Sequence, residues 1–157
     1  MPKPESWNTE RAEAVIAAHK EREGAALPVL LALQETFGFI GEEAVRLVAE
    51  ALNLSRAEVH GIVTFYHDFK RRPPGRRVVK LCRAEACQSM GGDALADRVR
   101  KRLGVDWGET TTDGRVTLEP VFCLGLCACG PAGMVDERVV GRLDEAAIDG
   151  LIDEVGR

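Results

Sequence analysis

Apolar residues in the first 70 positions recur with a helical period. Ala12, Val15, Ile16 and His19 fall at i, i+3, i+4 and i+7 with charged residues between them, the spacing of one buried helix face. Leu30, Leu33 and Phe37 share a second face, with Pro28 suited to a first turn and Gly38 to a stop. Ala44, Leu47, Val48 and Ala51 repeat the spacing. Ser55 followed by Glu58 has the form of a capping box, opening a helix whose expected stripe is Val59, Ile62, Val63 and Tyr66. This half therefore reads as a small bundle of four short helices.

The period then changes. KRRPPGRR, residues 70–77, places two prolines and a glycine where no helix continues comfortably, and so marks a linker. Beyond it VVKL (78–81) is a β-branched strand signal ending at Cys82, and TLEPVF (117–122) is a second one leading to Cys123. Between them ALADRVRKRLG reads as a helix with Asp93 as its cap and Leu95, Val99 and Leu103 inward. Met134–Val135 and Arg138–Val140 are expected to form a hairpin across Asp136–Glu137, and LDEAAIDGLIDEVG a closing helix. The order β-α-β-β-β-α predicts an α+β chain, with a helical domain over 1–72 and a small sheet domain over 73–157.

Composition narrows the possibilities. In 157 residues, 45% hydrophobic and 29% charged, there is apolar material for one comfortable domain or two small ones. A formal net charge of −4 gives no reason to expect nucleic acid as a partner. The longest apolar run, AALPVLLAL, is too short to span a bilayer and contains a proline, so membrane insertion is not expected. MPKPESWNTERAEAV has no apolar signal region and predicts a cytoplasmic protein. Five cysteines without a secretion signal argue against a disulfide framework and for metal or redox chemistry.

The cysteines fall as Cys82-x4-Cys87, 35 intervening residues, then Cys123-x3-Cys127, with Cys129 two positions on. Each pair follows an expected strand, so two strand ends at one edge of a sheet would bring the pairs together. A 2Fe-2S cluster takes four thiolates, two per iron, and this 2+2 layout suits it. A tetrahedral zinc site, stabilising an interaction module, is a competing reading, because the first pair alone has knuckle spacing. A dithiol oxidoreductase using Cys127 and Cys129 is a third, though it leaves the first pair unexplained. A cluster core carries a formal charge of about −2 when oxidised and needs N–H donors near sulfur. Gly91, Gly92, Gly125 and Gly130 would permit close backbone approach, and Arg83 would add positive charge.

C-x4-C and C-L-G-x-C-x3-P, preceded by a helix carrying T-F-Y, resemble the thioredoxin-like 2Fe-2S subunit of complex I. The same subunit type occurs in NAD-linked hydrogenases and formate dehydrogenases. The likeness runs through LPVLLALQETFGFI, EVHGIVTFYHDF, PPGRRVVKLCRAEAC and CLGLCACGPAG. CRAEACQSMGG together with TFYHDF looks most like the gamma subunit of soluble NAD-dependent formate dehydrogenases. The resemblance implies a helical domain followed by a thioredoxin-like domain holding one 2Fe-2S cluster, with Cys82, Cys87, Cys123 and Cys127 at the ligand positions. It further implies a flavoprotein partner that binds FMN and NAD, among further subunits of a dehydrogenase complex. Cys129 is not at a ligand position. The chain itself is then an electron-transfer subunit without an active site of its own, in keeping with the absence of GxGxxG and GxxxxGK(S/T) loops.

Other candidates receive plainer readings. His60 and His67, seven apart, are expected on one helix side as a packing or subunit surface, since no third metal ligand accompanies them. His19 is expected to be merely packed. Thr64, Phe65 and Tyr66 are expected in the core, with a docking surface as the alternative. The basic run Lys70, Arg71, Arg72, Arg76 and Arg77 reads as a solvated linker or partner contact.

Overall fold

In a computed structural model, residues 4–156 are described. The domain ranges predicted above also take in residues 1–3 and 157, which lie outside the described residues, as do the first three residues of the N-terminal segment. The chain divides into two compact units, Met1–Pro73 and Pro74–Arg157.

The first unit consists of helices α1 (Thr9–His19), α2 (Ala26–Phe37), α3 (Glu42–Leu52) and α4 (Arg56–Phe65). Their starts and stops have local causes. Asn8 accepts the Arg11 N–H at α1, Gly38 ends α2 in the left-handed region, and Ser55 and Glu58 form the complete capping box of α4. Ala12, Val15, Ile16, Leu30, Leu33 and Val48 meet in one core with Val59 and Val63. Trp7 packs against Phe37 with ring centroids 4.8 Å apart.

Three expectations in this unit are corrected. Ala51 is exposed, whereas Val45 and Ala49 are buried: α3 turns a broader face inward than the 44, 47, 48, 51 stripe. Tyr66 is not part of the buried stripe, because the chain leaves the helix there (φ −88°, ψ 107°), and Phe65 and Tyr66 are both exposed. His60 and His67 do not share a helix, since α4 ends at Phe65.

The second unit is built on strands β1 (Arg77–Cys82), β2 (Val116–Val121), β3 (Gly133–Val135) and β4 (Arg138–Val140). They form one mixed sheet in the order β2-β1-β3-β4. β1 and β2 are parallel, while β1–β3 and β3–β4 are antiparallel. A short helix, α5 (Glu85–Ser89), was not expected. Helix α6 (Gly92–Leu103) lies in the crossover between β1 and β2, and Gly91 at φ +90° caps it in place of Asp93. Helix α7 (Glu145–Val155) follows the predicted hairpin. Val79 and Leu81, two apart on β1, face the same core as Val99, Leu118, Ile148 and Ile152. Lys80 and Glu119, opposite each other in register, pair at 3.6 Å.

Helices α6 and α7 are joined by Arg98 and Arg102, which contact Asp149 at 2.7 and 2.9 Å, and Arg102 also reaches Asp153 at 2.7 Å. Bonds from Arg98 and Arg102 hold the Asp149 carboxyl far below its ordinary 3.8. The Thr111 hydroxyl and the backbone and side chain of Arg115 bring Asp113 down to about 2. Both folded values are depressed, so their stabilisation is present above pH 3.8 and fades as pH falls toward 2. The thermal midpoint of the second unit is therefore expected to drop on acidification through that window, and Asp149→Asn to flatten the dependence. Equal slopes for variant and parent would assign acid lability to other groups.

Candidate metal centre

Strand pairing brings the two cysteine pairs together. In the parallel β1–β2 register Cys82 stands opposite Val121, so both strands end at one edge and their following loops share one space. The first loop carries Cys87 on α5. The second turns sharply: Cys123 has φ +85° and Gly125 φ +76°, folding the chain so that the Gly125 N–H donates to Cys123 Sγ at 3.4 Å. Cys127 then opens a single 3-10 turn, Cys127–Cys129, 3.6 Å Sγ to Sγ from Cys123.

Burial separates the pairs. Cys82 and Cys87 are buried with Ala132, and Ala84, Val121, Leu124 and Leu126 pack around them, whereas Cys123 and Cys127 are exposed. Burial pushes the Cys82 thiol up, but the amides of Ala84, Cys123 and Leu124, with the Cys87 thiol, act on its sulfur and bring it below the ordinary value. Burial and the neighbouring Cys82 raise Cys87. Its contact with Cys123 raises Cys127, which also feels Cys82. Cys127 thus acts across the loops on Cys87 and feels Cys82, so the two pairs lie close together.

The donor set fits a two-iron cluster. Among the described residues no three His, Cys, Asp or Glu side chains converge on a single-ion position. The thiols stand two and two, the division a two-metal cluster would take, with amides directed at sulfur as an anionic group requires. The glycines serve different ends. Gly125 supplies an N–H to sulfur, while the Gly91 and Gly130 amides are spent on the Gln88 and Cys127 carbonyls. A Cβ on Gly130 would lie 3.5 Å from Cys87 Sγ, and one on Gly92 only 2.6 Å from the Cys87 carbonyl oxygen.

Two further residues near the thiols have partners of their own. Arg83 is not a loose charge: it pairs with Asp93 at 3.0 Å and lies over the Trp107 ring at 5.3 Å. The Cys129 carbonyl accepts the Arg142 N–H at 2.6 Å, and its Cβ faces Gly141, so this residue ties the loop to the chain after β4. The loop N–H donors and the buried apolar shell were not singled out in the sequence, where only the glycines hinted at them.

A family model described as Thioredoxin-like [2Fe-2S] ferredoxin matches residues 12–156. Three similar proteins are all the same kind of NADH-quinone oxidoreductase subunit. The one from Rhizobium meliloti is 35% identical over 144 residues, covering 92% of this chain and 86% of the relative. Its counterpart in Escherichia coli K12 is 31% identical over 158 residues, covering 98% and 95%. That of Pseudomonas aeruginosa is 31% identical over 135 residues, covering 86% and 81%. Among solved structures, NAD+-reducing [NiFe]-hydrogenase in the H2-reduced state matches with a TM-score of 0.68 and 28% identity over 81% of this chain and 22% of that chain. The air-oxidised form matches at 0.64 and 26% identity, over 95% and 24%. This chain thus spans less than a quarter of the hydrogenase chain it resembles.

Proposed function

The chain belongs to the thioredoxin-like 2Fe-2S ferredoxin family, and from that premise we propose that it is an electron-transfer subunit of an NAD-linked oxidoreductase complex. Cys82, Cys87, Cys123 and Cys127 are the ligands of one 2Fe-2S cluster, and a partner flavoprotein carries FMN and NAD. The observation that carries this reading is the meeting of two thiol pairs at the common end of β1 and β2. The division of labour is a helical domain over 1–72 and a cluster domain over 73–157, which the compact units support.

A bound cluster of this type exchanges one electron at a time. The protein's part is to hold charge and set access. Buried Cys82 and Cys87 anchor one edge in an apolar shell, amides steady the sulfurs, and exposed Cys123 and Cys127 present the other edge to a partner. Anaerobic purification followed by iron and sulfide analysis, visible absorption and EPR after dithionite tests this. The expected result is about two irons per chain and an EPR signal on reduction. A colourless, EPR-silent protein containing zinc would show the site to be a structural zinc module instead.

At the finer level we assign the subunit to an NAD-dependent formate dehydrogenase, on the likeness of CRAEACQSMGG and TFYHDF to its gamma subunit. The NADH-quinone oxidoreductase and hydrogenase relatives favour a second reading, the equivalent subunit of one of those complexes. Co-purification of a formate-oxidising molybdenum or tungsten subunit decides for the first. Recovery with hydrogenase or quinone-reducing subunits decides for the second.

A further inference from the structure

Arg83 stands where β1, β2, α5 and α6 come together. Its N–H donates to the Val121 carbonyl at 2.8 Å, carrying the β1–β2 pairing past Cys82 and fixing the chain just ahead of Cys123. Its carbonyl accepts the Gln88 side chain at 2.9 Å, next to Cys87 on α5. Its guanidinium meets Asp93 at 3.0 Å in the first turn of α6, and lies 5.3 Å from the centroid of the Trp107 ring beyond the end of that helix. The backbone of Arg83 thus holds both thiol-bearing loops, and its side chain fastens them to the elements behind.

Both side-chain contacts are to anchored groups. Asp93 follows Gly92, where α6 abuts the Cys87 turn so closely that a Cβ would stand 2.6 Å from the Cys87 carbonyl oxygen. The Trp107 N–H donates to the Asp106 carboxylate at 2.7 Å, and Arg100 of α6 holds that carboxylate at 2.9 Å. The Gly108 N–H donates to the Leu118 carbonyl of β2 at 2.7 Å, and the Trp107 ring packs against the core of the second unit. An ion pair between exposed side chains fixes little, because solvent screens it and both chains lose freedom. Here the arginine is the covered member: its side chain is 24% exposed, against 36–40% for the paired Arg98, Arg100 and Arg102 of α6. A guanidinium can bond a carboxylate along its edge while its face rests on a ring, which an ammonium cannot do with a fixed orientation. With its charge answered by Asp93, Arg83 offers the thiol loops position more than field.

We propose that Arg83 is a positioning residue for the cluster: clamped between Asp93 and Trp107, it fixes the loop carrying Cys82 and Cys87 against α6 and β2 and so governs how firmly iron is retained. The inference rests on the function proposed above. Residues that orient metal-binding side chains without touching the metal change retention when they are lost, even where every donor remains in place.

The test gives the anaerobically purified full-length holoprotein an excess of an iron chelator and follows release, beside the dithionite-reduced EPR signal and the melting midpoint. Arg83→Gln and Asp93→Asn are each expected to speed release by about 10-fold and to broaden the EPR signal. The double variant should be no faster than Arg83→Gln, since the two changes remove one shared contact. Arg83→Lys, which keeps the charge and gives up the stacked face, falls between. Trp107→Leu speeds release, whereas Trp107→Phe, which keeps an aromatic face, stays near the parent. Asp149→Asn controls for general stability: it cuts ties between α6 and α7, touches neither thiol loop, and should lower the midpoint with parental release. Parental release in Arg83→Gln overturns the clamp and leaves the electron-transfer reading intact. Release in Asp93→Asn no faster than in the parent overturns it too, because that variant frees the positive charge and would leave Arg83 acting by charge alone. Equally fast release in Asp149→Asn and Arg83→Gln overturns it by reducing Arg83 to general stability. A parent that holds zinc and no iron overturns both readings.

Discussion

Cys123→Ser is expected to abolish or grossly alter the cluster, and Cys129→Ser to leave it in place. Cys123 is held at φ +85° by the turn through Gly125, whose N–H is directed at its sulfur, and it stands 3.6 Å from Cys127. That backbone conformation costs about 1–3 kcal/mol for a non-glycine residue, a cost the surrounding loop offsets. A serine there keeps the strain and loses the soft thiolate. Cys129, by contrast, turns its Cβ to Gly141 and uses its carbonyl to tie down Arg142. Iron per chain, visible absorption and the reduced EPR signal read the outcome. An unchanged spectrum in Cys123→Ser, or cluster loss in Cys129→Ser, would move the ligand assignment to the C-x-C pair.

Gly92→Ala is expected to be the most damaging single-methyl change in the second unit. Its Cβ would stand 2.6 Å from the Cys87 carbonyl oxygen and 3.0 Å from the carbonyl carbon, both backbone atoms that no rotamer change can move aside. Either α6 or the α5 turn bearing Cys87 must shift, at a cost of about 1–3 kcal/mol. For a domain of this size that lowers the melting midpoint by about 4–8 °C per kcal/mol, and it displaces Cys87. Gly91→Ala separates sterics from strain. Gly91 has φ +90° but open space around its Cβ position, so its cost is the left-handed conformation alone, about 1–2 kcal/mol. The two variants should differ most in iron retention, low for Gly92→Ala and near parental for Gly91→Ala. Full iron occupancy and a parental midpoint in Gly92→Ala would mean that the α5–α6 junction gives way freely.

The sequence was most legible where structure is made locally. Ser55 and Glu58 lie three residues apart and close a cap without help from the rest of the fold, and the Asp136–Glu137 hairpin is equally self-contained. Periodicity failed where a helix stopped without a breaker residue. Tyr66 continues the stripe of Val59, Ile62 and Val63 in spacing, but the chain has turned extended by then. Helix α5 is five residues long and leaves no period to read, and Asp93 lost the cap to Gly91 because the chain needed a positive φ there. At the site, spacing showed which thiols form pairs. That the pairs meet depends on β1 lying parallel to β2, a contact no local pattern encodes.

That parallel pairing also orders events in time. Residues 77–82 meet 116–121 only after an intervening helix has been placed, so the contact is long in sequence and slow to form relative to any single helix or hairpin. A nascent chain emerging through Cys87 holds one cysteine pair without the other. The two pairs can meet only once β2 has docked along β1, and the finished sheet leaves Cys123 and Cys127 exposed while Cys82 and Cys87 are buried.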